Sequence, residues 1–244
     1  MKIDYNHAQN AHGTAGPLAA FRLIVKEPFP KSLLDVGCGV GTWLSCAAQN
    51  GIDDFWGIDG VDISPKQLLF PHKKFKLVDR QKPVDLGRRF DLVICLEVAE
   101  HLSEGSSDIL IDTLVRHSDK IIFSAACPGQ VGQNHINCQW PSWCQEKFNQ
   151  RGFECNDAVR WAIWNENTIE PWYRQNIFIA TNNPKNAGNE PRIRSAIHPE
   201  IALGISEQIH FNRIEKSFED GFLSRSWYFR KPFVGLLKKM LRKL

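Results

Sequence analysis

The stretch LLDVGCGVGTWL (33–44) constrains the fold more than any other part of the chain. An apolar run carrying one carboxylate, Asp35, passes into glycines 37, 39 and 41 and then into a helical pattern from about Thr42. Glycine permits a tight turn at positive φ and lets a ligand approach the backbone without meeting a Cβ. The helix start beyond the turn offers amides that have no intrahelical partner. A strand that turns into a helix in this way opens a parallel sheet, whose ligand sites lie at the carboxyl ends of the strands. The bland alternative is a tight strand-to-helix turn with no ligand. The spacing is G-x-G-x-G with Thr at position 42, which departs from the G-x-G-x-x-G of dinucleotide sites and disfavours NAD and FAD.

The pattern continues along the chain. Apolar runs at 32–37, 54–59, 74–79, 90–97 and 120–126 alternate with helical segments at about 42–50 and 106–117. PSWCQEKFNQRG has helical character and a glycine stop, and DAVRWAIW and QNIFIAT read as two further strands joined by an aromatic loop. Strands alternating with helices predict an α/β, doubly wound, mostly parallel sheet. The expected organisation is an N-terminal cap segment (1–30), a sheet domain (31–182), and a linker with a basic extension (183–244).

Charge separates the body from the end. Residues 183–244 hold 12 Lys/Arg and 6 Asp/Glu, a net of +6, which leaves 18 and 21, or −3, for residues 1–182. An acidic body argues against nucleic acid as its partner. No run approaches the roughly 18 apolar residues of a membrane span, and the polar start lacks a signal-peptide core. Seven scattered cysteines without a C-x-x-C pair read as reduced thiols, so the expected location is cytoplasmic. In 232–244 the apolar residues Phe233, Leu236, Leu237, Met240, Leu241 and Leu244 form one helical stripe beside Lys238, Lys239, Arg242 and Lys243. Such a helix either lies peripherally on the anionic inner face of a membrane or docks on protein.

Acids recur at the strand ends. Asp59 ends the second run, where a carboxylate can accept from both ribose hydroxyls, and Asp79 ends the third. Asp62 in GVD competes with Asp59 for the ribose role. Together, LLDVGCGVGTWL, GID, LVD and FDLVICLEVAEHL resemble the class I S-adenosylmethionine-dependent methyltransferases over about residues 30–181. The resemblance implies a seven-stranded sheet with an antiparallel last strand and S-adenosylmethionine as cofactor. It places Gly37, Gly39 and Gly41 around the methionine moiety, with Asp35 and Cys38 in the same loop. Asp59 with Gly60 falls at the ribose, Asp79 at adenine, and Leu96 with Glu97 beside the sulfonium.

Glu97, Glu100 and His101 are spaced i, i+3, i+4, so they share one face if a helix begins near Glu97. With His135 of CPGQVGQNHINCQWPSW they resemble the ligand set of metal-dependent O-methyltransferases. That resemblance implies Mg²⁺ or Mn²⁺ held by Glu97, Glu100, His101 and His135. The other reading makes the acids helix-start residues stabilised by the dipole. Without metal, His135 or His101 is the candidate general base, and Glu97 a further catalytic candidate. Trp164, Trp172, Tyr173 and Arg174 either line an acceptor pocket or pack as a lid. The layout FSAACPGQ…NHINCQWPSWCQEKF also resembles bacterial methyltransferases of surface-glycan synthesis. The expected reaction is therefore O-methylation of a sugar, glycan or small polyol-like acceptor. Its rivals are RNA ribose 2′-O-methylation and cofactor binding without catalysis.

Overall fold

The structure is a computed structural model that describes residues 13–25, 28–79, 82–205, 212 and 216. The chain divides into two compact units, Met1–Ile201 and Ala202–Leu244. In the second, residues 202–205 are helical, and the expected stripe at 232–244 lies outside the described residues. The first unit holds the sheet and the site.

Its strands are β1 (Ser32–Val36), β2 (Asp54–Asp59), β3 (Phe75–Leu77), β4 (Leu92–Leu96), β5 (Lys120–Ser124), β6 (Phe153–Asn156) and β7 (Phe178–Asn182). They form one seven-stranded sheet in the order β3-β2-β1-β4-β5-β7-β6. β1 through β5 are mutually parallel, and β7 runs antiparallel to both β5 and β6. The helices are α1 (Ala15–Ile24), α2 (Thr42–Gln49), α3 (Glu104–His117), α4 (Pro141–Asn149), α5 (Ala158–Ile163) and α6 (Pro171–Asn176).

β1 is buried along its whole length and β4 over four of its five residues, because helices cover both faces of the sheet. This explains why both strands read as continuous apolar runs. One layer packs Leu34, Val93, Phe123 and Phe178 against α3 and α4; the other packs Leu33, Ile94 and Ile122 against α1, α2 and α5. Burying each of these large side chains stabilises the fold by about 1.5–3 kcal/mol.

One expected strand is a helix. DAVRWAIW forms α5, and the strand before β7 is the preceding FECN of β6. Val159, Arg160 and Ile163 are the buried residues of α5, at helical spacing; Arg160 is neutralised by Asp157 and its Nη atoms donate to the carbonyls of Gln175 and Arg194. Burial of an arginine at the core face concealed the period. Residues 183–201 lie against the sheet domain. Glu190 Oε1 accepts from Gln145, Asn149 and the Cys155 amide, and the Ile193 amide donates to Gln145 at 2.8 Å. Among the described residues, no helix is long and apolar enough to cross a membrane.

Candidate active site

The glycine loop leaves β1 and is pinned to β2, with the amides of Gly37 and Cys38 both donating to the Ile58 carbonyl (2.8 and 3.1 Å). Gly41, at φ 87, caps α2; a Cβ there would overlap the Phe70 ring, and φ is one that L residues rarely adopt. Gly37, at φ 80, is closed in the same way by Val98. Val98 and Phe70 therefore pack where side chains at 37 and 41 would stand, while Gly37 and Gly39 present backbone to the cavity. Asp59 braces it from behind, accepting from the Gly39 amide at 2.9 Å and the Val61 amide at 2.8 Å.

A cavity of about 390 Å³ runs from this loop across the end of β4. At one end its wall is Asp35, Gly37, Cys38, Gly39, Thr42 and Trp43, and at the other Glu97, Glu100, His101 and His135. Leu96 lies between them, and Gln130, Val131, Trp172 and Tyr173 border the same space. Burial, and then the charge of Asp59, pushes the Asp35 carboxyl well above the usual range.

The expected single helical face does not form. Glu97 follows β4 with φ 54, residues 99–101 make one 3₁₀ turn, and α3 starts only at Glu104. A loop contact brings the groups together instead: the amides of Ile136 and Asn137 donate to the Glu100 carbonyl at 2.9 and 3.0 Å. This seats His135 beside His101, ring centroids 5.0 Å apart, with His135 Nε2 4.0 Å from Glu100 Oε1. Gly132 makes room, since a Cβ there would overlap the His135 ring.

One ligand atom each from Glu100, His101 and His135 lies within 4.8 Å of the others. Bonds of about 2.0–2.6 Å to a shared cation span that separation. Both Glu100 oxygens are buried and make no hydrogen bond. Burial, then the charge of Glu97, drives the Glu100 carboxyl well up, although the nearby amides of Glu100 and Ala126 weakly favour the charged form. His135 Nδ1 sits 3.0 Å from the Gln130 carbonyl, so Nδ1 carries the hydrogen and Nε2 presents its lone pair toward Glu100. Burial lowers the His135 pKa and keeps the ring neutral. An orphaned carboxylate facing two imidazoles fits a divalent cation, and the nitrogen majority favours Mn²⁺ over Mg²⁺.

Glu97 stands outside that group. Its oxygens accept from Gln130 Nε2 at 2.8 Å and Asn176 Nδ2 at 3.1 Å. Burial raises its pKa to about 7 against the opposing hydrogen bonds of Asn176, Ser124 and Gln130.

The other sequence candidates divide. Trp172 and Tyr173 reach the cavity, and Tyr173 is fixed edge-on to Trp43 at 5.3 Å. Trp164 stacks on Trp161 and meets His198 at a tilt, and Arg174 is buried against Glu200 and the Trp164 carbonyl; both sit in the packing outside the cavity wall. Gly41, Asp59, Gly60 and Asp79 also fall outside the wall, and Asp79 is half exposed beside Lys82. Sequence reasoning passed over Gln130, Gln175 and Asn176; the signal was a set of amides, in PGQ and RQN, next to apolar strands.

A methyltransferase-domain family profile matches residues 12–150, more than half of the chain. The chain belongs to that family. Solved structures share this fold. The sugar N-methyltransferase KedS8 from Streptoalloteichus sp. aligns with TM-score 0.52 at 16% identity, over 70% of this chain and 88% of its own. DesVI from Streptomyces venezuelae gives 0.51 at 13%, over 69% and 91%. The S-adenosylmethionine-bound amino pentose methyltransferase CalS10 from Micromonospora echinaspora gives 0.50 at 17%, over 72% and 94%. At these identities the likeness concerns the fold alone. No curated protein matches the sequence.

Proposed function

We propose that this methyltransferase carries the methyl group of S-adenosylmethionine to a hydroxyl of a sugar, glycan or other polyol-like acceptor. The observation that carries the reading is the continuity of one cavity from the glycine loop to Glu97 and the Glu100–His101–His135 group. The donor lies along the loop with its methyl toward Glu97. The acceptor enters past Trp172 and Tyr173, whose rings offer faces for a sugar.

In the transfer the acceptor oxygen attacks the methyl carbon, the sulfur–carbon bond breaks, and neutral S-adenosylhomocysteine leaves. The hydroxyl proton passes to Glu97, whose pKa of about 7 suits it to accept a proton near neutral pH. Glu100, His101 and His135 are the residues that would hold a divalent cation, which supplies Lewis acidity toward a hydroxyl oxygen when bound. Holding the two reactants in line is worth roughly 7–11 kcal/mol of the barrier. An oxygen acceptor is preferred to an amine because this end of the cavity is built for deprotonation. An RNA ribose is disfavoured by the −3 charge of residues 1–182 (18 basic against 21 acidic).

The test is transfer of labelled methyl from S-adenosylmethionine to matched neutral sugars, amino sugars and RNA in the presence of Mn²⁺. Label in an ether of the neutral sugars is expected. Label confined to the amino sugars or to RNA refutes the hydroxyl assignment.

A further inference from the structure

Glu97 is surrounded by side-chain amides, where a buried carboxylate would ordinarily seek a cation. We infer that Gln130, Asn176 and Gln175 are positioning residues that hold Glu97 as an acceptor-only carboxylate beside the sulfonium of the bound donor, in an orientation dictated by the backbone amide of His198. The inference rests on the donor site proposed above and adds how that site tells substrate from product.

The orientation follows from one donor that cannot be reversed. The His198 backbone N–H donates to Gln175 Oε1 at 2.7 Å, and a backbone N–H has no acceptor role. Gln175 must therefore turn Nε2 inward, where it meets Asn176 Oδ1 at 3.1 Å, Gln130 Oε1 at 3.3 Å and Cys127 Sγ at 3.0 Å. With those two oxygens engaged as acceptors, both neighbouring amides present N–H to Glu97: Gln130 Nε2 to Oε2, and Asn176 Nδ2 to Oε1. Asn176 also donates to Gln130 Oε1 at 2.9 Å, which closes the network. Gln175 and Asn176 are each 1% exposed, so water does not substitute for either. Both amides donate to the carboxylate and so favour its charged form, opposing the burial that raises its pKa. The left-handed backbone of Glu97, anchored by its own N–H to Ser124, aims the group into the cavity.

The donor carries a positive sulfonium and the product a neutral thioether. A fixed anion at this point favours binding of the donor over the product. Once Glu97 has passed on the proton it took from the acceptor, its charge favours exchange of S-adenosylhomocysteine for a fresh donor.

The test is calorimetric titration of the full chain with S-adenosylmethionine and with S-adenosylhomocysteine, in wild type, Glu97→Gln, Asn176→Leu and the double variant. Glu97→Gln is expected to weaken the donor about tenfold and Asn176→Leu about fivefold, with the product changed less than about twofold in each. In the Glu97→Gln background, Asn176→Leu adds less than about twofold, because it acts through Glu97. Should Asn176→Leu fail to fold, Gln130→Met at the cavity wall takes its place with the same expectation. Equal losses for donor and product, or an undiminished Asn176 effect without Glu97, overturn the inference and leave the donor site standing. Failure of folded wild type to bind either compound overturns both.

Discussion

Mn²⁺ raises the thermal midpoint of the wild-type protein by roughly 5–10 °C at a hundredfold excess over its dissociation constant, and Glu100→Gln abolishes the rise. Mass action supplies about 2.7 kcal/mol at that excess, and a domain of this size gains roughly 2–4 °C per kcal/mol. The expectation comes from the cost built into the apo site, where both Glu100 oxygens are buried without a hydrogen bond. Its pKa is raised by burial and then by Glu97. The folded state therefore holds this proton more tightly than the unfolded chain does. Without metal, stability is full below the ordinary carboxylate range and declines as pH rises from there toward the raised value. Glu100→Gln removes that decline, so at pH 8 the metal-free variant melts above metal-free wild type. Scanning calorimetry at pH 5 and pH 8, with and without Mn²⁺, reads all of these terms. A Mn²⁺ shift that survives Glu100→Gln places the cation elsewhere.

Glu97→Gln lowers the rate of methyl transfer by about 10²–10⁴-fold, the range for losing a positioned general base. In wild type the rate rises with pH through about 7, where Glu97 loses its proton, and then levels. Burial keeps His135 neutral, so its titration falls below this limb. In Glu97→Gln the limb near pH 7 disappears and the residual rate is nearly flat. The check is single-turnover transfer of labelled methyl across pH 5.5–9 with the acceptor class that takes label. Persistence of the limb in Glu97→Gln assigns the base to another group.

The fold was legible because its signals are local. The glycine loop, the two strands buried on both faces and the closing QNIFIAT each carry their pattern within a few residues, and the alternation of strand and helix signals a mostly parallel, doubly wound sheet. α5 was not legible, since a buried Arg160 sits where the helical period calls for an apolar residue. Of the four Glu/His residues singled out in the sequence, Glu100, His101 and His135 come together and Glu97 does not. Sequence spacing suggested a helical face, whereas the backbone turns left-handed at Glu97 and the Glu100 carbonyl gathers the 136–137 amides. The amide cage could not be read at all, because it joins residues 97, 130, 175, 176 and 198 through contacts with no sequence period.

The most direct test is titration of S-adenosylmethionine into the folded wild-type protein, followed by calorimetry. The proposed donor site predicts saturable binding of one donor per chain with a dissociation constant between about 1 μM and a few hundred μM. Absence of saturable binding up to about 1 mM, the upper end of ordinary substrate affinities, contradicts it.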